Sequence, residues 1–313
     1  MVQSQVILVG GGTGFVGRHL VDLLRKGGAK VRILTRRPGS SSDQISWDTI
    51  KRKGLPSDTT AVVNLAGRNL LEPGLWTENY KKEVYSSRIE TNKLLANAIN
   101  AATNKPRSFV TVSGVGYYPT GANSETTEYD EEWQPKATTN DKHQDSFLTK
   151  LARDWEAASK LDEEAMAKTR RVIIRAGVVI GPDGGIIANM MLPFKLGLGG
   201  PIGDGQQWLP WIHVDDLANM FKFSILNDHV EGIVNGVAPE QVKNKQFADL
   251  FAKSLSRPSF LPLPGFAVNL MFGSERAPVL LQGQRVKSRA GLIGFRYQYP
   301  TLESAINACS TSH

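Results

Sequence analysis

The run Gly10-Gly11-Gly12-Thr13-Gly14-Phe15-Val16-Gly17 constrains this chain more than any other stretch. It directly follows an apolar β-type run, "QVILVG" (5–10), and opens a segment of helical periodicity, "GRHLVDLLRKGG" (17–28). Without Cβ atoms a turn can tighten and another group can come close to its backbone. The helix that follows can then aim bare N–H groups and its positive dipole end at an anion. Gly11, Gly14 and Gly17 fit G-x-x-G-x-x-G, and Gly12, Gly14 and Gly17 fit G-x-G-x-x-G. Between a strand and a helix, that spacing predicts a cradle for a dinucleotide pyrophosphate, with Thr13, Phe15 and Val16 beside it.

Further strand-like runs follow at "KVRILT" (30–35), "AVVNLAG" (61–67), "SFVTVSG" (108–114) and "RVIIRAGVVIG" (171–181). Helical stretches at 81–102 and 145–161 separate them. Strands that are apolar on both faces and alternate with helices predict an α/β fold, a Rossmann-type doubly wound parallel sheet. From Gly181 the texture turns glycine-rich and irregular, with a strand expected at 230–238 and helices at 244–255 and 301–309. The expected division is a dinucleotide-binding domain over 1–180, to which 210–240 returns, and a smaller C-terminal substrate or lid domain from 181–209 and 241–313.

The end of the second strand selects the dinucleotide. An NAD site places a carboxylate there for the ribose hydroxyls, whereas this chain has Thr35-Arg36-Arg37. Guanidinium groups bind a 2′-phosphate through charge-assisted hydrogen bonds, so NADP is the expected cofactor. The charge balance, 37 Lys and Arg against 30 Asp and Glu, suits an anionic ligand, but no basic stripe interleaved with aromatics points to nucleic acid. One cysteine, Cys309, excludes an internal disulfide and fits a reducing compartment. No apolar run reaches the ~18 residues of a membrane span and no targeting segment is legible. The expectation is therefore an intracellular protein, cytoplasmic by default with an organelle left open, and no membrane partner.

"GGGTGFVG", "VVNLAG", "RAGVVIGPDGG" and "WIHVDDLA" resemble the extended branch of the short-chain dehydrogenase/reductase superfamily. With "KKEVYSSRIETNKLL", "LPFKLGLGGPIGDGQQWLPWIHVDDLA", "NGVAPE" and "GFRYQYPTLESAI", the chain is similar to an atypical, epimerase-like family of NADP-dependent oxidoreductases of unassigned substrate. The resemblance spans nearly the whole chain. It implies cofactor contacts at Leu65, Ala66 and Gly67, at Glu83 and Arg88, and at Val179, and by analogy a homodimer.

Reductases of that superfamily work with a Ser and a Y-x-x-x-K pair. The resemblance puts Ser113 at the serine position and Lys150 at the lysine position, but Ser146 stands four residues before Lys150. An aliphatic hydroxyl is a poor proton donor to a developing alkoxide, so Tyr117, Tyr118 or Lys150 itself is the expected acid. Trp133, Phe194, Trp208 and Trp211, on rim segments 117–136 and 191–211, are expected to wall a slot for a small, relatively apolar carbonyl substrate. His213 reads as a scaffold element, and Asp215 and Asp216 as the cap and first turn of a helix. The histidines have no zinc spacing, and "VSGVG" lacks the G-x-S-x-G elbow of a serine hydrolase. Three functions stay open: an NADP-dependent oxidoreductase, an NADP(H)-binding regulatory or scaffold protein with weakened catalysis, and a sugar-nucleotide epimerase.

Overall fold

The computed structural model describes residues 5–39, 41–70, 76–120, 126–135 and 146–310. Its first part runs β1 (Val6–Gly10), α1 (Phe15–Lys26), β2 (Lys30–Thr35), β3 (Gln44–Ser46), α2 (Trp47–Lys53), β4 (Ala61–Asn64), α3 (Glu78–Ala101), β5 (Ser108–Gly114), β6 (Glu128–Tyr129), α4 (Phe147–Ala157), α5 (Glu163–Met166) and β7 (Arg170–Ala176). There follow β8 (Val178–Gly181), α6 (Gly185–Lys195), β9 (Trp208–Leu209), β10 (Trp211–His213), α7 (Val214–Leu226), β11 (Gly232–Gly236), β12 (Val242–Lys243), α8 (Asn244–Ser254), α9 (Gly265–Leu281), β13 (Arg285–Val286) and α10 (Leu302–Ser310).

Seven strands form one parallel sheet in the order β11-β7-β5-β4-β1-β2-β3. Ile7, Leu8 and Val9 have no exposed surface, as a sheet covered on both faces requires. One face packs on α1 and α7 through Leu20, Leu24, Leu217 and Phe221, and the other on α3 and α5 through Leu95, Ile99 and Ala165. The chain leaves β1 toward β2 and later resumes on the opposite side with β4. The crevice for a ligand therefore opens where β1 and β4 end side by side. A separate apolar cluster joins Ile187, Phe194, Trp211, Phe247, Phe251 and Ile306 beneath α6, α8 and α10.

The expected strand over 171–181 is two strands. β8 leaves the main sheet at Gly177 to pair with β10, and the Pro210 carbonyl comes so close that a Cβ on Gly177 would lie 2.6 Å from it. α1 begins at Phe15, two residues earlier than its periodicity suggests. β3 and α2 were not expected, because their polar sequence hides a short edge strand and a helix that starts at the Ser46 cap. The proline-broken stretch after 260 contains α9, which turns sharply at Gly273 with φ 77°.

Candidate functional site

The cradle is built as its glycines demand. Gly11 adopts φ +76°, a region costly for other residues, and its carbonyl accepts the Gly14 N–H at 3.0 Å. A Cβ on Gly17 would stand 2.1 Å from that carbonyl, and one on Gly11 2.6 Å from the Leu65 backbone. Gly14 caps α1 without a side-chain hydrogen bond, which leaves the first-turn N–H groups to an outside acceptor. Gly12 is buried, Thr13 and Gly14 are exposed, and Phe15 and Val16 are half-buried. The Phe15 ring lies against Gly181, Gly184 and Gly185, where any Cβ would intrude to 3.0 Å or less. The glycines of "GPDGG" thus let the segment after β8 close onto the cradle, beside half-buried Val179.

At the end of β2, Thr35 Oγ1 accepts the Arg37 N–H at 3.3 Å and orders the turn. Arg36 and Arg37 are exposed, and their guanidinium groups have no partner among the described residues. After β4, the Leu65 N–H donates to the Gly10 carbonyl and the Ala66 N–H to Asn64 Oδ1. Gly67 sits against Arg88, whose guanidinium a Cβ would meet at 2.9 Å. Arg88 is buried over the Trp155 ring and donates to the Val84 and Arg68 carbonyls. Burial with no carboxylate beside it pushes its pKa down to about 10. Glu83 is exposed and paired with Arg68.

Ser113, at the end of β5, is 2% exposed, and its hydroxyl has no hydrogen-bond partner among the described residues. A buried hydroxyl left unpaired is costly, and a ligand oxygen would satisfy it. Behind it, Asn64 Nδ2 and Thr111 Oγ1 donate to Asn92 Oδ1, and Asn92 Nδ2 donates to the Trp155 carbonyl. This chain fixes the floor of the crevice between β4, β5 and α3. The residues at hand thus fit a dinucleotide with a reacting group over Ser113.

Lys150 is not part of that floor. Its ammonium is 67% exposed and pairs with Asp154 one turn on at 2.5 Å, while Tyr85 of α3 donates to the same carboxylate at 2.7 Å. The pairing raises the Lys150 pKa and so holds its charge. Ser146 is the N-cap of α4, accepting the Thr149 N–H at 3.2 Å. The side of α4 that meets the sheet carries Leu148, Ala152 and Glu156, spaced by four. Leu148 lies against Gly116, Ala152 is buried, and Glu156 grips Arg175 of β7 at 2.7 and 2.9 Å. Lys150 lies two residues from Leu148, about 200° round the helix. The sequence-based register for this helix is corrected accordingly, and Leu148 and Ala152 hold the inward places four residues apart.

Tyr118 also leaves the list of acids. It is fully buried, its hydroxyl is bonded to the Asp130 carbonyl and Asn235 Oδ1, and it accepts from Arg175 Nη1. Burial pushes its pKa up to about 12. Tyr117 is half-buried, with the Arg175 guanidinium 3.4 Å from its ring centroid and that of Arg153 at 5.9 Å. Its hydroxyl carries no hydrogen bond among the described residues, which leaves a free phenol three residues beyond Gly114, in the turn that continues β5. The buried Arg175–Glu156 pair was not foreseen. The four-residue spacing of Leu148, Ala152 and Glu156 puts Glu156 on the inward face, but its partner comes from β7.

The four rim aromatics do not share a slot. Phe194 and Trp211 are buried in the cluster under α6, α8 and α10, Trp133 packs on Tyr117, Tyr118 and Tyr129, and Trp208 lies between Lys243 and Arg285. Residues 121–125 and 136 of the first rim segment lie outside the described residues. His213, not Asp215, caps α7: its Nδ1 accepts the Asp215 N–H at 3.2 Å. Asp216 is buried and accepts the Gln298 and Tyr299 N–H groups at 2.7 and 2.9 Å. No helix among the described residues is long and apolar enough to cross a membrane, and no cluster there could hold a metal ion.

The model of the NAD-dependent epimerase/dehydratase family matches residues 7–235, and that of a domain of unknown function, DUF1731, matches residues 263–309. "Epimerase family protein SDR39U1" of Bos taurus is 46% identical over 303 residues, covering 96% of this chain and 98% of that protein. A chloroplastic homologue from Arabidopsis thaliana is 37% identical over 98% of this chain and 87% of its own length. Among solved structures, human epimerase family protein SDR39U1 (isoform 2) with NADPH superposes with a TM-score of 0.91 at 42% identity, covering 99% of this chain and 100% of that one. A UDP-N-acetylglucosamine 4-epimerase from Bacillus cereus, at 17% identity and a TM-score of 0.74 over 99% of both chains, shares the fold.

Proposed function

Since this chain belongs to the NAD-dependent epimerase/dehydratase family, we propose that it binds NADP(H) across the ends of β1, β2, β4 and β5 and works as an oxidoreductase on a small, relatively apolar carbonyl or alcohol. Bound there, the nicotinamide would supply or accept the hydride. Gly11, Gly12, Thr13, Gly14, Phe15 and Val16 hold the pyrophosphate, Thr35, Arg36 and Arg37 the 2′-phosphate, Leu65, Ala66 and Gly67 the adenosine, and Val179 closes the far side. Ser113 holds the substrate oxygen and Tyr117 exchanges its proton. The observation that carries the reading is the orphaned, buried Ser113 hydroxyl beyond a cradle that only glycine can form. The NADPH in the human relative's structure supports the choice of cofactor.

A second reading, a protein that holds NADP(H) without turnover, is favoured by Leu148 and Ala152 on the inward face of α4. Loss of NADPH absorbance across a panel of aldehydes and ketones separates the two. The oxidoreductase reading expects turnover of at least one carbonyl, with Tyr117→Phe slower by about 10²- to 10⁴-fold. NADPH binding without turnover of any carbonyl selects the second reading.

A further inference from the structure

We propose that the face formed by the end of α6, residues 258–264 and the first arm of α9 docks on an anionic lipid surface. Of the ten exposed large apolar side chains among the described residues, seven fall in 192–198 and 260–270. Phe266 and Leu270, one turn apart on α9, are 77% and 81% exposed. The two segments are neighbours in space. Gly203 donates to the Leu263 carbonyl and Leu263 to the Pro201 carbonyl, both at 2.9 Å, and Gly197 lies against Pro258.

α9 projects from this seam. A straight helix from Gly265 to Leu281 would be about 24 Å long. Instead the Leu281 side chain reaches 3.7 Å from the Cβ position of Gly265, so the two arms fold back on each other at Gly273. The hairpin is held at its base, where Gln207 Nε2 donates to the Leu280 carbonyl at 2.9 Å, and its first arm carries Phe266 and Leu270 outward.

Charge selects the occupant. Residues 185–209 and 243–270 hold Lys195, Lys243, Lys245, Lys253 and Arg257 against Asp204 and Asp249, with no glutamate. Lys195 ends α6 between the exposed Leu192 and the exposed Leu196 and Leu198, and Lys253 and Arg257 precede Phe260. All three are exposed and free of ion pairs among the described residues. A second copy of the face would bring like charges together, whereas a bilayer with anionic headgroups takes up both the cations and the apolar tips. The lack of a membrane span concerns crossing a bilayer, not lying against one.

The test is flotation of the full chain with vesicles of phosphatidylcholine alone and of phosphatidylcholine mixed with phosphatidylglycerol. Binding is expected to the mixed vesicles only, reversed by salt. Phe266→Glu combined with Leu270→Glu should abolish it without lowering the thermal midpoint. Replacing Lys195, Lys253 and Arg257 with Gln should weaken it about 100-fold, at about fivefold per charge. Flotation with neither vesicle, or flotation that survives both sets of substitutions, overturns the proposal. A dimer in sedimentation that the apolar substitutions dissociate, without vesicle binding, overturns it in favour of a second copy.

Discussion

Replacing Gly17 with alanine probes the cradle where it is tightest. The new methyl would stand 2.1 Å from the Gly11 carbonyl and 2.8 Å from the Gly12 Cα, both backbone atoms that cannot rotate aside. Relief requires the Gly11 carbonyl to move by roughly 1.3 Å, the difference between 2.1 Å and the 3.4 Å at which ordinary contacts start. That carbonyl also accepts the Gly14 N–H, so the shift breaks the turn that aims the first N–H groups of α1. Overpacking of this kind costs about 1–3 kcal/mol of folding stability. Losing two charge-assisted hydrogen bonds to a pyrophosphate, at about 1.5 kcal/mol each, lowers NADPH affinity by about 150-fold. Calorimetric titration measures the affinity, and urea unfolding of the protein alone measures the stability. Gly291→Ala, where nothing lies within 4 Å of the added methyl, is the control and should change neither. A Gly17→Ala protein that binds NADPH within threefold of the parent would refute the assignment of this turn to the pyrophosphate.

Lys150→Ala should leave NADPH affinity, any turnover and the urea midpoint unchanged, because its ammonium faces water and Asp154. Glu156→Gln should destabilise the fold by about 3–5 kcal/mol by stranding the buried Arg175 charge, while Glu156→Leu with Arg175→Met recovers most of that loss. Burial lowers the His213 pKa to about 4, below its unfolded value of 6.5. Between those values the unfolded chain binds a proton that the folded one refuses, so stability should fall by roughly 3 kcal/mol as pH drops from about 6.5 to about 4. His213→Asn keeps a helix-capping side chain and should flatten that part of the urea-midpoint profile.

The sheet was legible because its strands are apolar on both faces and the turn after β1 cannot be built without glycine. α2 and β3 were not legible, because a polar edge strand and a capped short helix resemble a loop until the register of β2 is known. For α4, the chain's own spacing contained the answer. Leu148, Ala152 and Glu156 repeat every four residues and Lys150 falls between them, so the helical period, not the Y-x-x-x-K pattern, sets which side of α4 meets the sheet. The Arg175–Glu156 pair and the packing of Phe15 on Gly181, Gly184 and Gly185 join residues far apart in the chain, and only the fold brings them together. The expected aromatic slot failed because Phe194 and Trp211 are drawn into the cluster under α6, α8 and α10 while Trp133 packs on Tyr117, Tyr118 and Tyr129.

Calorimetric titration of the intact protein with NADPH and with NADH, repeated with Arg36 and Arg37 both replaced by alanine, tests the central claim most directly. NADPH is expected to bind at least tenfold more tightly than NADH, and the double substitution to remove this preference while leaving NADH affinity unchanged. Equal affinity for the two dinucleotides, or no heat with either, would contradict it.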